Sequence, residues 1–355
     1  MFSSGRRSKK TAAGIAGAAA AALLLASCSS EVKIDSDADG LDNVTVQLDY
    51  QLRGNHAMFQ VADQLGYFKE QGIDVEAINT GTSSTDALRM VGKGRADFGF
   101  ADLPTLVTAR SHEVPVTALA AVNQTSPLAM CTVKNKNRLK SVGDLKGLTS
   151  GIHAAGSTFI FYQALLKANG LDRGDLTEAS VNPPYENFLL KGKVDTVPCY
   201  IDAEVPHLED IAGGKGSLDV LLGSEHGYQA YGSGLFTSDE MVKKHPDLVQ
   251  RFTNAYLKAF EYVVDHPDKS AAMIAKSSPQ TQPLAPLFRR QLQADIDHTF
   301  TSATTEKHGL GAMDERVWRT TISTLADQEL LKNSTPATKD VYNPSFVEKY
   351  AAKSD

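Results

Sequence analysis

The chain has 355 residues, 42% of them hydrophobic, with three cysteines, nine histidines and a formal net charge of −6. Removing a leader that carries Arg6, Arg7, Lys9 and Lys10 and no acid takes that charge to −10, and so acidic a surface disfavours nucleic acid and anionic membranes as partners. The histidines are scattered, without metal-ligand spacing, and no Walker loop, dinucleotide fingerprint or Gly-x-Ser-x-Gly elbow occurs, so neither a metal nor a cofactor is expected.

In chain order, residues 1–27 join that basic start to an Ala/Leu run over 12–26, too short for a comfortable membrane span. The run closes on Leu25-Ala26-Ser27-Cys28, which resembles a bacterial lipoprotein cleavage box. A signal peptide over 1–27 with lipidation at Cys28 is expected, tethering the protein to the cell membrane on its extracytoplasmic face. An uncleaved anchor, or an ordinary signal peptide in which Cys28 is incidental, is the alternative. Residues 28–43 hold Asp35, Asp37, Asp39 and Asp42 and few bulky apolar side chains, so they read as a flexible tether. The roughly 300 residues that follow are enough for two lobes with separate cores.

The stretch 44–75 organises the rest. Val44, Val46 and Leu48 alternate with polar neighbours, as in a half-buried strand. A loop over 49–55 holds Tyr50, Gly54 and Asn55. Met58, Phe59, Val61, Ala62 and Leu65 then fall at helical spacing, and Gly66 is placed to end that helix in the left-handed conformation. A strand over 73–78 completes a βαβ unit. Its first loop lies at the carboxyl end of a strand and the amino end of a helix, where open α/β sheets bind small ligands.

Further on, Gly81-Thr82-Ser83-Ser84 precedes a helix to about Val91, with Ser84 as the expected N-cap and amides near Ser83 able to meet a ligand acceptor. A strand over 96–102 ends in Asp102, which either faces the cleft or caps the helix at Pro104. Strands are expected over 114–122 and 128–133, the latter leaving the first lobe. A second α/β set begins near Asp144. There Gly156-Ser157-Thr158 opens a helix whose start favours an anionic or carbonyl group. Tyr185 begins another helix, either stacking on a ligand or packing on the lobe surface. The run 193–206 brings a strand out into Tyr200, Asp202 and Glu204; Glu204 reads equally as a solvated first-turn helix acid. Residues 228–236 read as the strand returning to the first lobe. The helix after His245 buries a wide stripe from Leu248 to Val263, and Trp318 should pack beside the first lobe. Cys131 and Cys199 lie in apolar runs and read as buried thiols, with a disulfide the alternative open to an exported protein.

The Asp49-Tyr50 loop, Asn55-His56, Gly66-Tyr67-Phe68-Lys69-Glu70 and Gly72-Ile73-Asp74-Val75 resemble the start of a family of ABC-importer binding proteins. Its members take up thiamine-precursor pyrimidines, riboflavin, sulfonates, taurine or nitrate. The resemblance covers nearly all of the chain from Val44 onward. It implies an α/β fold of the two-lobed periplasmic-binding-protein type II kind, closing on a hinge, with lobe 1 over 44–133 and 233–355 and lobe 2 over 134–232. Asp49-Tyr50, Asn55-His56 and Glu204 look most like the thiamine-pyrimidine branch, although Tyr50 stands where that branch has Trp, and Arg53, Met58, Asp202 and Ala203 depart from it. On this reading Tyr50, Tyr185 and Tyr200 sandwich a ring. Asn55, His56, Asp102 and Glu204 read its polar edge, with Asp49, Ser83 and Asp202 beside them. Residues 156–158 hold an anionic or carbonyl group. The implied partners are a small-molecule ligand and an ABC permease with its ATPase, and the protein is a monomer. An oxyanion ligand is the alternative within the family. Two other classes compete: a sensor ectodomain of the same fold, and an enzyme like the fungal thiamine-pyrimidine synthase. The synthase's lysine and its histidine after the Asp-x-Gly strand have no counterpart in the segment 100–105.

Overall fold

A computed structural model of the chain describes residues 34–354 apart from 37, 135, 137, 155, 183 and 185. The signal segment, Cys28 and Tyr185 lie outside the described residues. The elements run β1 (Asp42–Gln47), α1 (Ala57–Gln64), α2 (Tyr67–Glu70), β2 (Ile73–Asn79), α3 (Ser84–Gly92), β3 (Phe98–Asp102), α4 (Leu103–Ser111), β4 (Val116–Ala121) and β5 (Leu128–Val133). They continue with β6 (Thr149–Ile152), α5 (Ser157–Ala168), β7 (Thr177–Ser180), α6 (Glu186–Leu190), β8 (Val197–Tyr200), α7 (Glu204–Ala212), β9 (Leu218–Leu222) and β10 (Ser233–Ser238). Helices complete the chain: α8 (Asp239–Lys244), α9 (Pro246–Asp265), α10 (Pro267–Ala275), α11 (Ala285–His298), α12 (Ala303–His308), α13 (Glu315–Asp327) and α14 (Ser345–Ser354).

The first βαβ unit forms as its periodicity dictates. β1 lies parallel to β2 and β3, and Gly66 sits just past α1 at φ 76°, the left-handed conformation that a side chain would oppose. The five-stranded sheet has the order β2-β1-β3-β10-β4, so β10 returns late in the chain and inserts antiparallel between β3 and β4. α9 covers one face: Phe252 stacks on Phe98 with ring centroids 3.7 Å apart, and Phe68 packs against it at 4.8 Å. Trp318 of α13 is fully buried with the cluster on the other side, stacked on Tyr342 at 5.3 Å.

β5 lies outside the five-stranded sheet. It pairs with β8 and β9 in a second, antiparallel sheet, while β6 and β7 pair in parallel alongside, linked through a Ser150–Thr196 bridge. The chain therefore passes from one sheet to the other over 122–127, before β5, and comes back ahead of Ser233. The two crossings touch. Gly232 N–H donates to Asn123 O at 2.9 Å, and Ser233 N–H to Asn123 Oδ1 at 3.1 Å. A Cβ on Gly232 would come within 2.6 Å of both Asn123 and Pro127, which explains a glycine there.

Two local expectations change. Ser83, not Ser84, caps α3 by accepting from Asp86 N–H at 3.2 Å; the Ser84 hydroxyl instead accepts from Asp102 N–H at 3.1 Å and ties α3 to β3. Cys131 and Cys199 are joined as a disulfide rather than lying as two thiols, with Cα atoms 6.0 Å apart. The register of β5 against β8, in which Cys131 faces Val197 and Ala129 faces Cys199, brings the two cysteines within bonding reach. Pairing across strands is invisible to the sequence, so their separation could not be known in advance.

Candidate functional site

The cleft forms where loops from the two sheets meet. Asp49, Tyr50 and Arg53 from the loop after β1, and Thr82, Ser83 and Ser84 from the start of α3, make one wall. His153 after β6, the α5 amino end at Gly156, Ser157 and Thr158, and Tyr200 with Glu204 after β8 make the other. Each strand end delivers its side chains because the sheet stops there and the next helix begins, leaving helix-start amides and short polar side chains facing inward.

Eight of the sequence-predicted residues line this cleft: Asp49, Tyr50, Ser83, Gly156, Ser157, Thr158, Tyr200 and Glu204. Four do not, and they stand behind the wall as its support. His56 is fully buried and bonds through Nε2 to Asp49 Oδ1 at 2.9 Å. Asp102 is fully buried and caps α4, its Oδ2 accepting from Thr105 N–H at 2.9 Å and from the Thr105 hydroxyl at 2.6 Å. The capping alternative is the one observed. Asn55 Nδ2 donates to Asp202 Oδ2 at 3.3 Å, and both residues are buried. Asp202 in turn hydrogen-bonds Asp295 of α11, which is held by Asn123 at 2.6 Å and Thr299 at 2.7 Å. Two carboxyl groups can share such a bond only with a proton between them.

Arg53 was read from sequence only as a departure from a family pattern. Among the described residues it is the one guanidinium lining the cleft. Its Nη2 donates to Asp49 Oδ2 at 2.8 Å, and its carbon lies 5.8 Å from the Tyr50 ring centroid and 5.2 Å from that of Tyr200. The guanidinium therefore takes the place between Tyr50 and Tyr200 that was expected to hold a stacked ligand ring. The Asp49-x-x-x-Arg53 spacing at the entry to a helix was the signal that could have found it. His153, also missed, sits one residue past β6, at a strand end like the others.

The electrostatics follow from burial and pairing. Burial pushes the Asp49 carboxyl up, but the Arg53 charge and the His56 hydrogen bond outweigh it and hold it below its ordinary range. Arg53 is likewise opposed by burial, yet Asp49 and then Glu204 keep it charged. Burial pulls the His56 imidazole down more than Asp49 lifts it, so the ring is neutral near pH 7 and donates its Nε2–H to Asp49. Asp102 is lifted by burial to about 7. Asp202 and Asp295 are both raised by burial, and Asp295 is raised further by Asp202. Glu204 is the first residue of α7 and turns back, its Oε2 accepting from Tyr200 N–H at 2.9 Å. The Tyr200 hydroxyl meets Ser157 Oγ at 2.5 Å, joining strand end to helix start across the second sheet's wall. Gln291 of α11 braces the opposite side, accepting from Gly54 N–H at 2.9 Å and donating to Ala203 O at 3.0 Å.

Two sheets joined by two crossings, with a cleft between their strand ends, define a protein of the two-lobed periplasmic-binding-protein fold. The solved structure of a putative periplasmic sulfonate-binding protein, SsuA from Methylobacillus flagellatus, is similar, with a TM-score of 0.65 at 20% identity over 88% of this chain and 94% of that one. The chain belongs to the NMT1/THI5 like family, whose model matches residues 53–270. It is similar to the formylaminopyrimidine-binding protein of Halalkalibacterium halodurans, 25% identical over 312 residues, 87% of this chain and 92% of that one. It is also similar to 4-amino-5-hydroxymethyl-2-methylpyrimidine phosphate synthase THI13 of Saccharomyces cerevisiae, 26% identical over 237 residues, 64% of this chain and 69% of that one.

Proposed function

We propose that this protein is the extracytoplasmic solute-binding component of an ABC importer, that it captures a small heteroaromatic molecule such as a thiamine-precursor pyrimidine, and that it hands that molecule unchanged to a permease. The observation carrying this reading is the cleft itself. Tyrosine rings, carboxylates and helix-start amides converge from both sheets on one cleft, so a ligand touching both walls favours their closure. The formylaminopyrimidine-binding relative, similar over 87% of the chain, supports the ligand class.

Against the synthase reading, the described lining residues include no lysine to hold an aldehyde cofactor, and the end of β3 supplies an N-cap instead of a reactive side chain. The oxyanion reading has the α5 amino end and Arg53 in its favour. However, Asp49 already neutralises the guanidinium, and Glu204 adds a second acid to the wall, so an anion would enter an unfavourable field.

Mass spectrometry of small molecules released from the purified protein tests the assignment. An intact aminopyrimidine is expected; a sulfonate, or a ligand converted on incubation with the protein, would overturn it. The tether is part of the same reading: Cys28→Ala should release the protein from cells, and continued incorporation of labelled lipid would refute the anchor.

A further inference from the structure

We propose that Asp202 and Asp295 form a proton-dependent latch between the two lobes, which holds the cleft shut while they share a proton and lets it open when that proton is lost. The latch acts on the ligand-free protein, so it stands apart from the identity of the solute.

The two carboxyls come from opposite sides of the cleft. Asp202 follows β8 of the second sheet, whereas Asp295 lies on α11, which packs Phe288 and Leu292 into the core beside the first sheet. Both are buried, at 1% and 0% exposure. One oxygen of each is taken: Asp202 Oδ2 accepts from Asn55 Nδ2, and Asp295 Oδ1 accepts from Asn123 Nδ2 and the Thr299 hydroxyl. No N–H or hydroxyl reaches the other two oxygens, Asp202 Oδ1 and Asp295 Oδ2, and the two carboxyls are hydrogen-bonded to each other. Two acceptors make such a bond only around a proton. The same seam carries Gln291 Nε2 to Ala203 O at 3.0 Å and an exposed Arg290–Asp210 ion pair, which contributes little by itself.

The surroundings decide where the proton resides. Arg53 and Asp49, from the loop after β1, act on Asp202, and the Arg53 charge opposes the rise that burial imposes. Glu204, two residues along, turns its carboxylate to Tyr200 N–H. Asp295 faces Asp202, which raises it further, and the buried Tyr256 hydroxyl of α9. Its neighbours on α11, Asp297 and His298, are exposed. The negative charge is therefore favoured on Asp202 and the proton on Asp295.

Separating the lobes hydrates both groups and returns each toward the ordinary carboxylate range near 4. The closed form then holds one more proton than the open form at any pH between that range and the raised value of the pair. Closure is complete in its proton-linked stability below the open-state value, and across the window it weakens about tenfold per pH unit.

The test is small-angle scattering of the purified protein, dialysed free of small molecules, at pH 5 and pH 8.5. The wild type should show a larger radius of gyration at pH 8.5, with an unchanged far-UV circular dichroism spectrum. In Asp295→Asn the amide Nδ2 can donate to the Asp202 carboxylate without a titrating proton, while its oxygen still accepts from Asn123 and Thr299, so this variant should keep the pH 5 radius at both values. Asp202→Asn makes the same bond from the other side and serves if the first variant folds poorly. A wild-type radius that is the same at both pH values overturns the latch. Expansion that persists in a folded Asn variant also overturns it, because the opening would then belong to another titrating group such as Asp102, which is intact in both variants.

Discussion

Asp102 offers a quantitative check on the electrostatics of the site's support. Its carboxyl is buried at the start of α4 with Oδ1 unpartnered, and burial lifts it from 3.8 to about 7. Because the folded value lies above the unfolded one, the folded state holds the proton more tightly. The stability this provides is complete below about pH 4 and is lost as pH rises through 7. The full elevation corresponds to about 4 kcal/mol, of which about 2.5 kcal/mol falls between pH 5 and pH 8. Asp102→Asn keeps an N-cap acceptor for Thr105 and cannot ionise. Urea midpoints for wild type and mutant at pH 5 and pH 8 should therefore diverge, the wild type losing about 2.5 kcal/mol more than the mutant. Asp202 and Asp295 titrate in both proteins, so their contribution cancels in the difference. Parallel pH profiles would mean that Asp102 is ionised throughout, and the account of its burial would be wrong.

Other outcomes follow from particular contacts. The Cys131–Cys199 bridge closes a loop of 68 residues, and its reduction should lower stability by about 4 kcal/mol on a chain-entropy basis; equal urea midpoints with and without dithiothreitol would refute this. Glu204→Gln retains an oxygen for Tyr200 N–H but loses the charge that would receive a ring amine, so calorimetry should show affinity for an aminopyrimidine reduced about ten- to a hundredfold with an unchanged melting temperature. A stronger response to ethanesulfonate in that mutant would favour an oxyanion site. Gly81→Ala would drive a Cβ into the Leu48 carbonyl under the Asp49–Arg53 loop, and a loss of about 1–3 kcal/mol together with weaker ligand binding is expected; a mutant melting like wild type would show that the loop yields freely.

The sequence by itself determined the local elements and the kind of cleft. Period-two alternation at Val44, Val46 and Leu48, helical spacing from Met58 to Leu65 and the glycine at 66 are short-range signals, and each leads to the observed strand, helix or stop. The stripe along α9 is equally local. The same logic put Asp49, Tyr50, Tyr200 and Glu204 at strand ends, which is why they reach the cleft. Only the tertiary structure decided what depends on partners distant in the chain. The pairing of β5 with β8 moves it to the second sheet and joins Cys131 to Cys199, 68 residues away. The burial of His56, Asp102 and Asp202 behind the wall depends on Asp49, Thr105 and Asp295, and the last of these is almost a hundred residues from its partner. Arg53 follows the same rule: its spacing to Asp49 was legible, but its place between two tyrosine rings 150 residues apart was not, because a side chain's role is set by the field and the surfaces that folding brings to it.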